Sequence, residues 1–101
     1  MKTAYMLFNT EIGAEKKVFS ALKKVEGVQE AHSLWGVYDI IAKITADDMG
    51  ELKSIITKEI EKINKINSKL TMIIEEKPRI YSDHYKSRAR EQLLFEDAII
   101  V

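Results

Sequence analysis

Two hydrophobic periods alternate along this chain, and their order predicts the fold. Thr3 to Asn9 is a short apolar and aromatic run bounded by polar residues, which reads as a first strand buried on both faces. From Ala14 to Val25 the period lengthens: Val18, Leu22 and Val25 form a stripe that Lys16, Lys17, Lys23 and Lys24 mostly avoid, the mark of a helix packed on a surface. Glu26-Gly27 ends it, because glycine tolerates the left-handed conformation common after a helix. Val28 to Trp35 and Asp39 to Thr45 then read as a hairpin turning at Gly36-Val37-Tyr38, where Gly36 can take positive φ without steric cost.

Asp48 and Glu51 stand at capping-box spacing and open a second helix. Met49, Leu52, Ile56, Ile60 and Ile63 carry its apolar stripe to an end near Asn64. Ile66 to Glu75 reads as a fourth strand, with Leu70, Met72 and Ile74 on one face and Thr71 and Ile73 on the other. A weak internal repeat supports this division: Leu22 to Val28 and Ile60 to Ile66 share their apolar spacing. Two strand-helix-strand units with right-handed crossovers give an α+β, ferredoxin-like βαββαβ fold. Its sheet has four antiparallel strands, with the first and third central and both helices on one face.

Helices on one face leave the other bare. Tyr5 and Leu7 oppose Met6 and Phe8, and Ile41 opposes Ile40 and Ala42, so apolar side chains point both ways. A bare face of this kind exceeds what monomers usually expose; the candidates to cover it are a second copy packing sheet on sheet or the chain's own C-terminal segment folding back, and the second copy, giving a dimeric sandwich or barrel, is preferred because it would also cover sheet edges.

Residues 1–76 form the expected domain and 77–101 a C-terminal extension. Lys77-Pro78 breaks the fourth strand, Ser82 to Glu96 can form a third helix, and the apolar ends Leu93-Leu94-Phe95 and Ala98-Ile99-Ile100-Val101 suit docking on a neighbouring subunit or on the sheet margin. The basic residues Lys77, Arg79, Lys86, Arg88 and Arg90 read as a solvated face rather than a nucleic-acid clamp.

Composition narrows the function. The 101 residues carry sixteen basic and sixteen acidic side chains, so no global field draws the chain to DNA or an anionic membrane. Without cysteine there are no disulfides or thiolate metal sites, and with no long apolar run a cytoplasmic address is the simplest expectation. His32 and His84 lack partners at metal-ligand spacing, and no catalytic triad order, phosphate loop or dinucleotide fingerprint is present. No metal, cofactor or catalytic residue is expected.

What chemistry there is gathers at the hairpin turn. Free N–H groups around Gly36 suit a carboxylate, Asp39 suits an ammonium, and Trp35 and Tyr38 are amphipathic rings, so the turn could hold a small zwitterion. The plainer alternative gives Gly36 to the turn, the rings to the edge of the core and Asp39 to capping backbone donors. A rival of another class is a small enzyme on the same fold, using His32, Tyr38 or Asp39 as acid or base.

The run Gly27-Val28 through Gly36-Val37-Tyr38-Asp39-Ile40 to Ala46-Asp47-Asp48, closed by Leu70-Thr71-Met72-Ile73-Ile74, resembles the effector-binding (RAM) domain of the Lrp/AsnC, or feast/famine, transcription regulators over about residues 3–76. That resemblance implies face-to-face dimers associating to tetramers or octamers, with amino acids bound between dimers near the glycine turn. By position it implies that Gly36, Val37, Tyr38 and Asp39 hold the ligand's polar ends, that Thr71 contributes from the last strand and that Trp35 shapes the pocket. Full-length members carry a helix-turn-helix ahead of this domain, so the chain is similar to the stand-alone form. Val37 replaces an Asp common in the family. The implied role is an amino-acid effector module that homo-oligomerises and modulates transcription by co-assembling with helix-turn-helix relatives, without binding DNA or membrane itself.

Overall fold

The architecture comes from a computed structural model, which describes residues 1–74; the expected extension, including the helix at 82–96 and the apolar end, lies outside them. Strands β1 (Lys2–Thr10), β2 (Val28–Ser33), β3 (Ile40–Ala46) and β4 (Ile66–Ile73) form one antiparallel sheet in the order β2-β3-β1-β4. Helix α1 (Glu15–Lys24) and helix α2 (Met49–Ser54) cover one face, so the expected ferredoxin-like βαββαβ fold is the one observed.

Strict alternation along the two central strands builds the core. Ala4, Met6 and Phe8 of β1 and Ile40, Ala42 and Ile44 of β3 point toward the helices and are buried, meeting Val18 and Leu22 of α1 and Leu52 of α2. Full burial of the larger of these, Met6, Phe8, Ile40, Ile44, Val18, Leu22 and Leu52, contributes about 1.5–3 kcal/mol each, and the alanines less. The opposite face is only half-covered: Tyr5, Leu7 and Ile41 retain partial exposure, and Leu70, Met72 and Ile74 are each more than 40% exposed. Thus, among the described residues, β1 is fully buried on one face and only partly on the other.

The second helix departs from the regular stripe. After α2 the chain makes a π-helical turn, Ile55–Glu59, in which Ile60 N–H reaches the Ile55 carbonyl, and then a 3₁₀ turn, Ile60–Lys62. The wider turn has a packing consequence. Ile55 and Ile60, five apart, are both buried, whereas Ile56, on the expected stripe, is only partly so. At the helix start the capping is as read: Asp48 Oδ1 accepts from Glu51 N–H at 2.7 Å.

Two tight connections mirror each other. Gly27 has φ +102° and Lys65 φ +72°, at matching places in the internal repeat, each one residue before an outer strand. Their carbonyls accept from the ends of the inner strands, Thr45 N–H to Gly27 at 2.8 Å and Glu11 N–H to Lys65 at 2.9 Å. Here Gly27 is required twice over: by its φ, and because a Cβ would lie 2.7 Å from Ile55 Cδ1 and 3.1 Å from the Thr45 carbonyl. Lys65 carries a side chain in a conformation that costs about 1 kcal/mol. Gly27→Ala should therefore destabilise by roughly 1–3 kcal/mol and Lys65→Gly should stabilise by up to about 1 kcal/mol, opposite shifts of the urea midpoint at unchanged slope.

Candidate functional site

The loop from Leu34 to Asp39 closes the β2–β3 connection and is wider than the three-residue turn expected. Its base is tied by Leu34 N–H to the Asp39 carbonyl at 2.7 Å and by Asp39 N–H to the Phe8 carbonyl at 2.9 Å. Between these ties the N–H groups of Trp35, Gly36, Val37 and Tyr38 have no acceptor among the described residues. Gly36 does not adopt positive φ, and a Cβ there would meet nothing within 4 Å. Among the described residues, neither a positive φ nor packing accounts for glycine at that position.

Asp39 is half-buried and already has structural work. Its Oδ2 accepts from the Thr10 N–H at 2.8 Å and from the Thr10 hydroxyl at 3.3 Å. Thr10 lies where the β1–β4 register shifts, and its carbonyl accepts from Asn67 Nδ2 at 3.2 Å. Side chains of Asp39 and Asn67 thus stand in for ladder partners at the irregular end of β1. Oδ1 of Asp39 has no partner among the described residues.

The aromatic residues behave differently from one another. Tyr38 is half-buried against the sheet end, whereas Trp35 is fully exposed at 101% and covers no core edge. Val37 beside it is 86% exposed. Ile12 is 103% exposed in the β1–α1 loop, on the same end of the sheet because that loop leaves β1 directly after Thr10. Ile12 was not singled out by sequence; an apolar residue off any stripe, between Glu11 and Gly13, was the available signal. Thr10 was likewise missed.

Thr71 is not gathered with the turn in one chain. It lies on β4, opposite Met6 of β1, and β1 separates it from β3, the strand that leaves the loop. His32 is exposed on β2, opposite Ile41, and its nearest charged partner is Glu30 at 3.6 Å; no hydrogen bond joins it to Tyr38 or Asp39. The geometry assembles no acid–base pair from His32, Tyr38 and Asp39. Among the described residues no cluster of three or more potential ligands could hold a metal ion, and no helix is long and apolar enough to cross a membrane.

The described residues form a ferredoxin-like sheet whose helices cover one face, and comparison with known proteins supplies the family. The family model for the Lrp/AsnC ligand binding domain matches residues 3–81. The crystal structure of FFRP-DM1 is 36% identical at a TM-score of 0.70, covering 74% of this chain and all 100% of that one. A hypothetical protein of Pyrococcus horikoshii is 34% identical at a TM-score of 0.70, covering 83% of this chain and 95% of its own. An uncharacterized HTH-type transcriptional regulator of Pyrococcus furiosus is 28% identical over 74 residues, 70% of this chain and 49% of the relative. The chain spans about half the length of that curated relative. It belongs to the Lrp/AsnC ligand binding domain family, a class of regulatory domains associated with transcription control.

The Asp39–Thr10 bond makes a direct prediction. Asp39→Ala leaves the Thr10 N–H, on a residue 6% exposed, without its acceptor and should cost about 1–3 kcal/mol in chemical denaturation, while Asp39→Asn, which keeps an acceptor oxygen, should cost less than half as much.

Proposed function

We propose that this domain is an amino-acid effector module that homo-oligomerises, binds its ligand at the Leu34–Asp39 turn and modulates transcription by co-assembling with helix-turn-helix relatives. The observation that carries the reading is the run of four backbone N–H groups, Trp35 to Tyr38, without a protein acceptor, next to the unpartnered Asp39 Oδ1. Successive amides suit a carboxylate and the free carboxylate oxygen suits an ammonium, the two ends of an α-amino acid. Gly36 then has a reason to be glycine, since a ligand or a second copy can approach its backbone closely.

Assembly completes the site. The open face, with Tyr5, Leu7, Ile41, Leu70, Met72 and Ile74, is a candidate for isologous pairing with a second copy, and association of such dimers, to tetramers or octamers, would bring Thr71 of one copy toward the turn of another. Residues 1–76 serve as the binding domain in this reading, and 77–101 as an extension that docks on a neighbouring subunit.

Thermal denaturation against each of the twenty amino acids tests ligand binding. A true ligand at about one hundred times its Kd stabilises by about 2.7 kcal/mol, several degrees for a domain of this size. Gly36→Val should melt at the same temperature unliganded, because the space beyond a Cβ is empty, and should lose the ligand-induced rise. No rise with any amino acid overturns the reading. In light scattering, Ile41→Glu should convert a dimer or larger species to monomer; a wild-type monomer would remove the pairing proposal.

A further inference from the structure

We infer that the groove between α1 and the turn before β4 is the dock for residues 91–101 of a neighbouring copy, its lysines meeting their carboxylates. The inference takes one element from the reading above, that the extension docks on a neighbouring subunit, and names the surface that receives it. Lys17 and Ala21 of α1, one helical turn apart, form one wall of the groove, and Lys62, Ile63, Asn64 and Lys65 form the other. At about 370 Å³ it has the size of a ligand pocket rather than of a single-ion site. Half-buried Ala21 and Ile63 supply its apolar surface, and its charged groups are three lysines and no acid.

That positive charge is not balanced locally. Lys62 shares Glu59 at 3.4 Å on the exposed surface, and Lys69 is engaged by Glu61. Lys17 and Lys65 have no acidic partner among the described residues. Lys65 also keeps a long cationic side chain at φ +72°, where glycine would sit without strain.

The extension divides its charges in the complementary way. Residues 75–90 carry Lys77, Arg79, Lys86, Arg88 and Arg90, whereas 91–101 carry Glu91, Glu96 and Asp97 and no basic residue. Glu96-Asp97 lies between Leu93-Leu94-Phe95 and Ala98-Ile99-Ile100-Val101, so acids alternate with apolar side chains there as lysines do with Ala21 and Ile63 in the groove. Exposed ion pairs are individually weak, and the dock needs both kinds of contact at once. The open sheet face offers apolar contact without the charge, since Lys43 there stands opposite Glu30. The tether from Ile74 to Glu96 spans up to about 70 Å when extended. The groove adjoins the start of β4 and the chain leaves that strand at its far end, about 25 Å along. Filling its own groove would require the extension to reverse along the whole strand, which docking on a neighbour does not.

Zero-length carbodiimide coupling of the full chain, read by peptide mass spectrometry, tests this, because it joins only carboxylates and amines already in contact. Isotope-labelled and unlabelled chains, refolded together, separate links between copies from links within one. The Lys69–Glu61 pair is the internal control. The expected result is links between copies from Glu96 or Asp97 to Lys17, Lys62 or Lys65, at least fivefold more abundant than those to Lys16, Lys23 or Lys43. Lys17→Glu with Lys65→Glu, both exposed positions, should cut the link to Lys62 at least fivefold. Adding Glu96→Lys and Asp97→Lys should restore coupling between positions 17 or 65 and 96 or 97. Links between copies that fall chiefly on other lysines overturn the groove while leaving docking on a neighbour intact. Links confined to one chain, or none while the control pair couples, overturn both.

Discussion

The central strands carry apolar side chains on both faces, while the described chain supplies helices for only one. Ala4, Met6 and Phe8 with Ile40, Ala42 and Ile44 make a dry interior under α1 and α2. Register determines what is left on the other side. One row across the sheet runs His32, Ile41, Leu7, Leu70, and the next runs Glu30, Lys43, Tyr5, Met72. Each grades from polar at the β2 edge to apolar at the β4 edge. An isologous pair lays each patch on its own image about a two-fold axis, so apolar burial is greatest when that axis passes near β1 and β4. The Glu30–His32 side would then form the rim.

Internal symmetry explains why the fold closes so economically, and also where it is strained. Both halves end a helix, pass through one residue of positive φ and offer that residue's carbonyl to the end of an inner strand. The halves differ in what fills the space beside that residue. Ile55 of the π-helical turn packs where a Gly27 side chain would have to go, so the first connection needs glycine and the second does not. The same π-helical turn sets Ile55 and Ile60 inward five residues apart. A regular α-helix would rotate one of them away from the sheet, and the packing of the second half over β3 and β1 would lose a buried isoleucine.

Element order, strand pairing and the buried face were legible because each rests on a period that local sequence displays. Phe8 and Ile44 announce their burial by what stands one residue to either side. The turn had no such period. Gly36 suggested positive φ from residue type alone, and the structure instead takes a longer loop whose ends are tied by Leu34, Asp39 and Phe8. The structural use of Asp39 was legible only as an alternative, because its partner Thr10 is 29 residues away. Trp35 was expected either to cover the core's edge or to shape a pocket; among the described residues it is fully exposed and covers none of the core. Thr71 joined the expected site through resemblance, and strand β1 separates it from the hairpin that carries the turn. Sequence spacing does not reveal which copy of a chain a residue faces.

If the proposed ligand binds at the turn, the bond network there would link it to the rest of the sheet. Asp39 holds the N–H and hydroxyl of Thr10, and the Thr10 carbonyl takes Asn67 of β4, so three strand segments meet at one buried threonine. A zwitterion engaging the free oxygen of Asp39 draws on the same carboxylate that anchors the end of β1. Spatial continuity of this kind does not by itself make coupling; a ligand biases assembly only by the difference in its affinity for the assembled and separate states. On the proposed reading, a ligand seated at one turn alone would leave its side chain beside Trp35 and Val37 in water, whereas a ligand enclosed between copies would be removed from it. Assembly and ligand would then strengthen one another by the same free energy, as reciprocity of linked equilibria requires.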